Sequence, residues 1–351
     1  MGDMKQARDT AAAGEMVIDV TVRRNDAVRM VSGYAKVTID CGVMAMTGEH
    51  LNDLMKGMRA VGVTHFVLKN VCGQTLVGTG VPGPLTIDVY GLMGNHSAAF
   101  VDRATINTFP TTFPNGVWAP GDAQVAIGNT ANPTEINIGG SVDDLFAAYT
   151  PSGVYRVAGQ GGNRCGLRGG AGVPDVWRSI PFDDYRSMSD GERVEEMLYL
   201  YQKRKARIQT AGWQSFLNDF RPTIEGRTAP VVVFGRRVRD YFMEYAQGTV
   251  GIILNIMDIA SPCGYYVCSG MTAGRAYIRG DVTKEQLGER VRFVELTEED
   301  HRFLKEQVTA FHATFDGRMG ENYQKRIDQI MNDYVRNAEG MTYQFKKIVP
   351  V

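Results

Sequence analysis

Several things are scarce in this 351-residue chain, and each scarcity removes a class of function. No stretch approaches the roughly 20 apolar residues of a membrane span, and the first residues, Met1-Gly2-Asp3-Met4-Lys5, have no apolar core of a signal sequence. There is no charge excess: 38 basic against 39 acidic residues give a formal net charge of −1, so no global field draws nucleic acid or an anionic membrane. The five cysteines, Cys41, Cys72, Cys165, Cys263 and Cys268, form no C-x-x-C pair. A zinc or iron–sulfur site needs tighter spacing and more ligands, so they read as free, mostly buried thiols of a reducing, cytoplasmic environment. His50, His65, His96, His301 and His312 are scattered, and no G-x-S-x-G elbow supplies a nucleophile. Gly78-Thr79-Gly80-Val81-Pro82-Gly83 fits the dinucleotide pattern G-x-G-x-x-G, but Pro82-Gly83-Pro84 prevents the helix that must follow it. The residues themselves therefore nominate no catalytic, cofactor-binding or metal-binding side chain.

Glycine is what the chain has in excess, 40 residues against an average share of about 7 %. Short β-branched runs lead into glycines or turns at Thr86-Ile87-Asp88-Val89-Tyr90-Gly91, Ala104-Thr105-Ile106-Asn107, Gln124-Val125-Ala126-Ile127-Gly128 and Glu135-Ile136-Asn137-Ile138-Gly139. They recur at Val154-Tyr155-Arg156-Val157-Ala158-Gly159, Val231-Val232-Val233-Phe234-Gly235 and Arg275-Ala276-Tyr277-Ile278-Arg279-Gly280. A spacing near nineteen to twenty residues is that of repeat folds whose units share one core. The expected fold is mainly β, a right-handed parallel β-helix (solenoid) with a helical insertion and a C-terminal helical segment.

The expected organisation has five parts. Residues 1–61 hold two strands, at 17–22 and 35–39, and an amphipathic helix from Gly48 to Val61 with Leu51, Leu54, Met55 and Met58 at helical spacing. Residues 62–173 carry the first β-helix part, with a Pro- and Gly-dense loop at 108–123 around Trp118 that reads as a partner contact or a plug. Residues 174–229 form a helical insertion opening on the capping box Ser189-Asp190-Gly191-Glu192. It offers Trp177, Tyr201, Trp213 and Phe216 beside a basic run from Gln202 to Arg207, either a partner interface or a cap. Residues 230–290 resume the β-helix. Residues 291–351 hold a helix capped by Thr297-Glu298-Glu299-Asp300, a break at Gly317 and Gly320, a helix over 321–336 and a closing strand over 343–349.

Residues 264–281, around Cys268-Ser269-Gly270-Met271-Thr272-Ala273-Gly274-Arg275, resemble the repeat signature of the GxGxG domain that closes the glutamate synthase large subunit. Asn70-Val71-Cys72-Gly73-Gln74 with Gly78, Gly80 and Gly94-Asn95 is similar to the opening of that domain. Gly128-Asn129 and the stretch 153–170 fit further repeats, and His312-Ala313-Thr314 with Phe345-Lys346-Lys347-Ile348-Val349-Pro350 is similar to its tail. The resemblance covers about residues 30–173 and 230–351, while 108–123 and 174–229 are additional to it. It implies a non-catalytic scaffold subunit of a split glutamate synthase or N-methylglutamate synthase-like complex. The implied partners are a flavin-binding synthase-like subunit and a glutamine amidotransferase-like subunit, with FMN and an iron–sulfur cluster in the partners and no cofactor in this chain. Self-association is a further expectation of the insertion; nucleic acid and membrane are not expected partners. Two alternatives stand beside this one. The first is the β-helix-bearing component of a formylmethanofuran dehydrogenase or formyltransferase/hydrolase complex. The second is a stand-alone hydrolase, against which the missing nucleophile argues.

Overall fold

The computed structural model describes residues 15–19, 23–42, 46–98, 101, 103–123, 134–150, 152–170, 229–318, 321–336 and 344–351. Fourteen strands and four α-helices are assigned among them. The strands are β1 (Glu15–Asp19), β2 (Lys36–Asp40), β3 (His65–Gln74), β4 (Leu85–Met93), β5 (Ala104–Phe109), β6 (Thr111–Thr112) and β7 (Trp118–Ala119). After them come β8 (Glu135–Ile138), β9 (Val154–Val157), β10 (Val231–Phe234), β11 (Gln247–Ile253), β12 (Ala273–Arg279), β13 (Val291–Val294) and β14 (Phe345–Pro350). The helices are α1 (Arg24–Met30), α2 (Gly48–Ala60), α3 (Glu298–Phe315) and α4 (Glu321–Arg336). None of the described helices is long and apolar enough to cross a membrane.

The expected β-helix is corrected by the strand pairing. Twelve strands make one large mixed sheet in the order β1-β2-β3-β4-β5-β8-β9-β10-β11-β12-β14-β13, and β6 and β7 make a separate two-stranded sheet. Among the described residues this ladder closes into no barrel or solenoid, and outside it only isolated parallel bridges, Met93–Ala123, Ala123–Val142 and Val267–Leu287, join successive repeats. The remainder of the repeat runs through tight turns in which alternate residues are left-handed, a conformation that cannot extend a β-ladder. The sheet is parallel from β1 to β12, and β14 then runs antiparallel to both β12 and β13.

The repeat length of the sequence survives as register. Leu85 pairs with Ala104, Glu135 with Val154 and Val231 with Val250, each partner nineteen residues on. The step from Thr105 to Glu135 is thirty residues and that from Val154 to Val231 is seventy-seven, where the 108–123 loop and the 174–229 block lie. Residues 174–228 of the expected insertion, with its capping box and aromatics, fall outside the described residues.

Alternation along each strand sorts the two sheet faces. One face presents a row of Val37, Phe66, Ile87, Ile106, Ile136, Tyr155, Val232, Gly251, Ala276 and Ile348 across successive strands, all buried. Aromatic rings extend this core edge-to-face: Phe146 lies 6.2 Å from both Tyr155 and Phe234, and Phe234 lies 5.8 Å from Phe242. Helix α2 packs on the same side through Leu51, Leu54, Met55 and Met58, with Thr47 accepting from the His50 amide as its cap.

The opposite face has two halves. Over β10, β11 and β12, Val233, Ile252 and Tyr277 pack beneath Leu304, Val308, Phe311 and Phe315 of α3 and Ile327 and Ile330 of α4. The start of α3 is pinned by a buried polar cluster. Asp300 accepts from Tyr277 Oη, from Lys347 Nζ at 2.6 Å and from the Thr297 amide at 2.8 Å. Burial alone would raise its carboxyl, but the hydrogen bonds from Lys347, Tyr277 and Thr297 outweigh it and hold Asp300 well below the usual carboxylate range. Over β3 to β9 the same face carries a polar ladder. His65 Nε2 meets Asp88 at 2.8 Å, Asn107 donates to Asp88 at 2.8 Å, Asn137 donates to Asn107 at 3.0 Å, and Arg156 donates to both Asn137 and Glu135.

These contacts set the cost of two glycine substitutions and the acid behaviour of one carboxylate. A Cβ at Gly274, whose φ is +105°, would lie 2.3 Å from the Thr249 carbonyl oxygen, so Gly274→Val should cost at least about 1–3 kcal/mol in urea unfolding. Gly270, at φ +66°, combines left-handed strain with a Cβ that would lie 2.5 Å from the Tyr245 ring, so Gly270→Val should also cost about 1–3 kcal/mol. The folded carboxyl of Asp300 lies below its unfolded value of about 3.9, so its contribution is complete above about pH 4 and drains away as pH falls below that. Asp300→Asn should lower stability at neutral pH and flatten its dependence on pH below about pH 4. An unchanged acid limb in the variant would contradict the cluster.

Candidate docking face

The six-residue turns that follow the strands share one backbone pattern. In the turn 144–149, Leu145, Ala147 and Tyr149 have φ of +62°, +55° and +58°; in 163–168, Arg164, Gly166 and Arg168 have +54°, +73° and +49°. Tyr241, Met243 and Tyr245 (+61°, +58°, +54°) and Tyr266, Cys268 and Gly270 (+59°, +59°, +66°) repeat it, as do Leu76, Gly78 and Gly80 nearer the start. In every case the middle residue is buried and the outer two are more exposed.

The outer left-handed residues of each turn donate their amides to the next turn, while the middle ones, Gly166, Met243 and Cys268, donate back to Phe146, Cys165 and Phe242 of the turn before. Leu145 N donates to Asn163 O, Arg164 N to Asp240 O and Tyr241 N to Tyr265 O, each at 2.9 Å. Four residues further along, Tyr149 N donates to Leu167 O at 2.8 Å, Arg168 N to Glu244 O at 2.9 Å and Tyr245 N to Ser269 O at 2.8 Å. Asp144, Asn163 and Asp240 lock the turn starts: Asp144 accepts from the Asn163 amide at 2.6 Å, Asn163 from the Asp240 amide at 3.2 Å and Asp240 from the Tyr265 amide at 2.9 Å.

Two columns of side chains result on the outside. In one, the Arg164 guanidinium sits 5.1 Å from the Tyr241 ring centre, and Tyr241 stacks on Tyr266 at 4.8 Å with 12° between planes. Arg164 also reaches Glu244 at 3.0 Å. In the other, Arg168 lies 5.5 Å over the Tyr245 ring, with Tyr149 one turn before. Tyr265 and Tyr266 are more than half exposed, and Tyr149 and Tyr245 are 41 % and 46 % exposed. Cation–π and ring stacking hold the cluster rigid, while its outer surfaces face solvent. Rigid exposed Tyr and Arg side chains are the composition of interface anchors. Chemically, the cluster can grip a carboxylate or an apolar surface; it contains no nucleophile paired with a base.

Sequence reasoning missed this face. Residues 153–170 and 264–281 stand out there only as glycine-bearing repeats, and Tyr149, Arg164, Arg168, Tyr241, Tyr245, Tyr265 and Tyr266 carry no role. The signal was the i, i+2, i+4 spacing of Gly78-x-Gly80, Ala147-x-Tyr149 and Gly166-x-Arg168, which marks the left-handed sites at which other repeats hold tyrosine or arginine.

Other readings from the sequence are placed as follows. Cys41, Cys165, Cys263 and Cys268 are buried and Cys72 is half-buried, all five free; burial pushes the thiols of Cys41, Cys165 and Cys263 up to about 12 and raises that of Cys268 as well. His312 pairs with Asp328 at 2.7 Å, while Nδ1 of His301 is buried without a partner. His65 spends Nε2 on Asp88. In the 108–123 loop, β6 and β7 form a small hairpin that leaves Trp118 64 % exposed while Phe113 and Ala119 are buried. Gly78 and Gly80 lie in a stacked turn followed by β4, not by a helix.

No family model matches the chain. It is similar to an uncharacterized protein of Methanocaldococcus jannaschii, MJ1350, with 36 % identity over 91 residues; the match covers 25 % of this chain and 35 % of that protein. The chain thus spans about a third of the length of the relative it matches.

Proposed function

We propose that this chain is a non-catalytic docking subunit of a cytoplasmic, multisubunit enzyme of the glutamate synthase type that its sequence motifs resemble. In this reading its partners are a flavin-binding synthase-like subunit and a glutamine amidotransferase-like subunit, with FMN and the iron–sulfur cluster held by the partners. Its contribution to the chemistry is geometric, keeping separate reaction sites in register.

One observation carries the docking role. Left-handed backbone costs a non-glycine residue of order 1–3 kcal/mol, and glycine would occupy the outer turn positions freely. The chain instead places Leu145, Tyr149, Arg164, Arg168, Tyr241, Tyr245 and Tyr266 there. Tolerating strain for exposed rings and guanidiniums serves recognition better than folding, since local rules are broken where function demands it. The exposed Trp118 supplies a second anchor.

The test separates stability from assembly. In Arg168→Gly and Tyr266→Gly variants the lost stacking, about 0.5–1.5 kcal/mol, is offset by relief of left-handed strain, so melting should change little. The chain purified from its native source should bring flavin-containing partner chains with it, and the double variant should lose them. A double variant that keeps its full set of partners would overturn the docking face, whereas wild-type protein that co-purifies with no flavin-containing chain would overturn the glutamate synthase-type assignment.

A further inference from the structure

A cavity of about 710 Å³ opens beside the last strands, away from the stacked turns, and the function proposed above makes no use of it. It falls within the range of small-molecule sites, roughly 300–1,000 Å³. Its walls are built by Val282, Phe293, Val294, Leu296 and Phe345, with Lys284, Lys346, Lys347, His301 and Glu295 at the polar positions. The apolar walls come from both sides of the sheet: Val282 and Phe293 belong to the main core, Phe345 and Leu296 to the core beneath α3 and α4. The cavity lies where the two cores meet at the start of β14 and the end of β13.

The charge balance of the wall selects the ligand. Lys347 is neutralised by Asp300 at 2.6 Å. Lys284 and Lys346 make no ion pair among the described residues, and Glu295 is the one acidic residue of the wall, leaving it net positive. His301, on the first turns of α3, lines the space and has a ring nitrogen, Nδ1, that is buried without any hydrogen-bond partner. We propose that this cavity binds an amphipathic carboxylic acid, its tail against Phe293, Leu296 and Phe345 and its carboxylate received by Lys346 and Lys284.

Octanoate serves as the probe, titrated calorimetrically into the full-length chain, with octanol and octylammonium as comparators of the same tail and different head. Octanoate should bind saturably at one site per chain, more tightly than either comparator. Because hydrogen bonds to charged groups are among the stronger ones, Lys346→Gln should weaken octanoate at least about ten-fold. Lys346 is exposed, so that variant leaves folding intact. Leu296→Trp, which fills the space, should abolish binding; should it fail to fold, the Lys346→Gln result decides alone. Equal affinity for octanol or octylammonium would overturn the proposal, as would unchanged octanoate affinity in Lys346→Gln. No saturable binding below about 10 mM, an affinity weaker than roughly 3 kcal/mol, would overturn it too.

Discussion

The stacking of successive turns in register is the constraint on which the rest of this structure depends. Each turn must offer its amides to the carbonyls of the next, as Leu145, Arg164 and Tyr241 do along one line and Tyr149, Arg168 and Tyr245 along another. Alternate left-handed residues direct these amides, the outer ones to the next turn and the middle ones, Gly166, Met243 and Cys268, back to the one before, and the conformation recurs from turn to turn. Once the turns are in line, so are the strands that lead into them, and Val37, Phe66, Ile87, Ile106, Ile136 and Tyr155 fall into one apolar row. No single repeat could bury that row by itself. The same alignment that builds the core inside therefore sets Tyr241 on Tyr266 and Arg168 over Tyr245 outside.

The second face of the sheet shows how polar groups are accommodated. Where α3 and α4 cover it, the strands present Val233, Ile252 and Tyr277, and the buried carboxylate of Asp300 is surrounded by donors. From β4 to β9 the row becomes Asp88, Asn107, Asn137 and Arg156, and each side chain finds its partner on a neighbouring strand. Such cross-strand pairs reward the native register and disfavour a slip that would carry these groups into the apolar row. The ladder thus reads as a register device, and the chemistry-bearing His65–Asp88 contact at its end is part of it.

Much of this was legible in the sequence, and the failures have physical reasons. The spacing of Leu51, Leu54, Met55 and Met58 placed α2, Thr297 and Asp300 placed the start of α3, and the break at Gly317 marked its end before α4. Helix α1 went unseen: Arg23 at its N-cap makes no side-chain capping bond, and only Ala27 of its seven residues is buried. β11 was obscured by Gly248 and Gly251 within it, and β13 is a four-residue edge. The largest misreading came from glycine itself. As corners between the strands of a solenoid the repeat glycines mislead, because Gly78, Gly80, Gly166 and Gly270 occupy left-handed sites within single turns. In that role they point to their non-glycine counterparts, Tyr149, Arg164, Arg168, Tyr241, Tyr245 and Tyr266, and so to the exposed face.

The docking role rests on whether that face meets another protein. The most direct measurement places a photo-reactive phenylalanine analogue at Tyr266 in the native host, with the analogue at the exposed Lys325 of α4 as the control position. Irradiation of intact cells should join the Tyr266 position to a distinct partner chain that mass spectrometry identifies, with far less product from Lys325. A Tyr266 position that yields no cross-linked partner, or the same products as Lys325, would contradict the docking role.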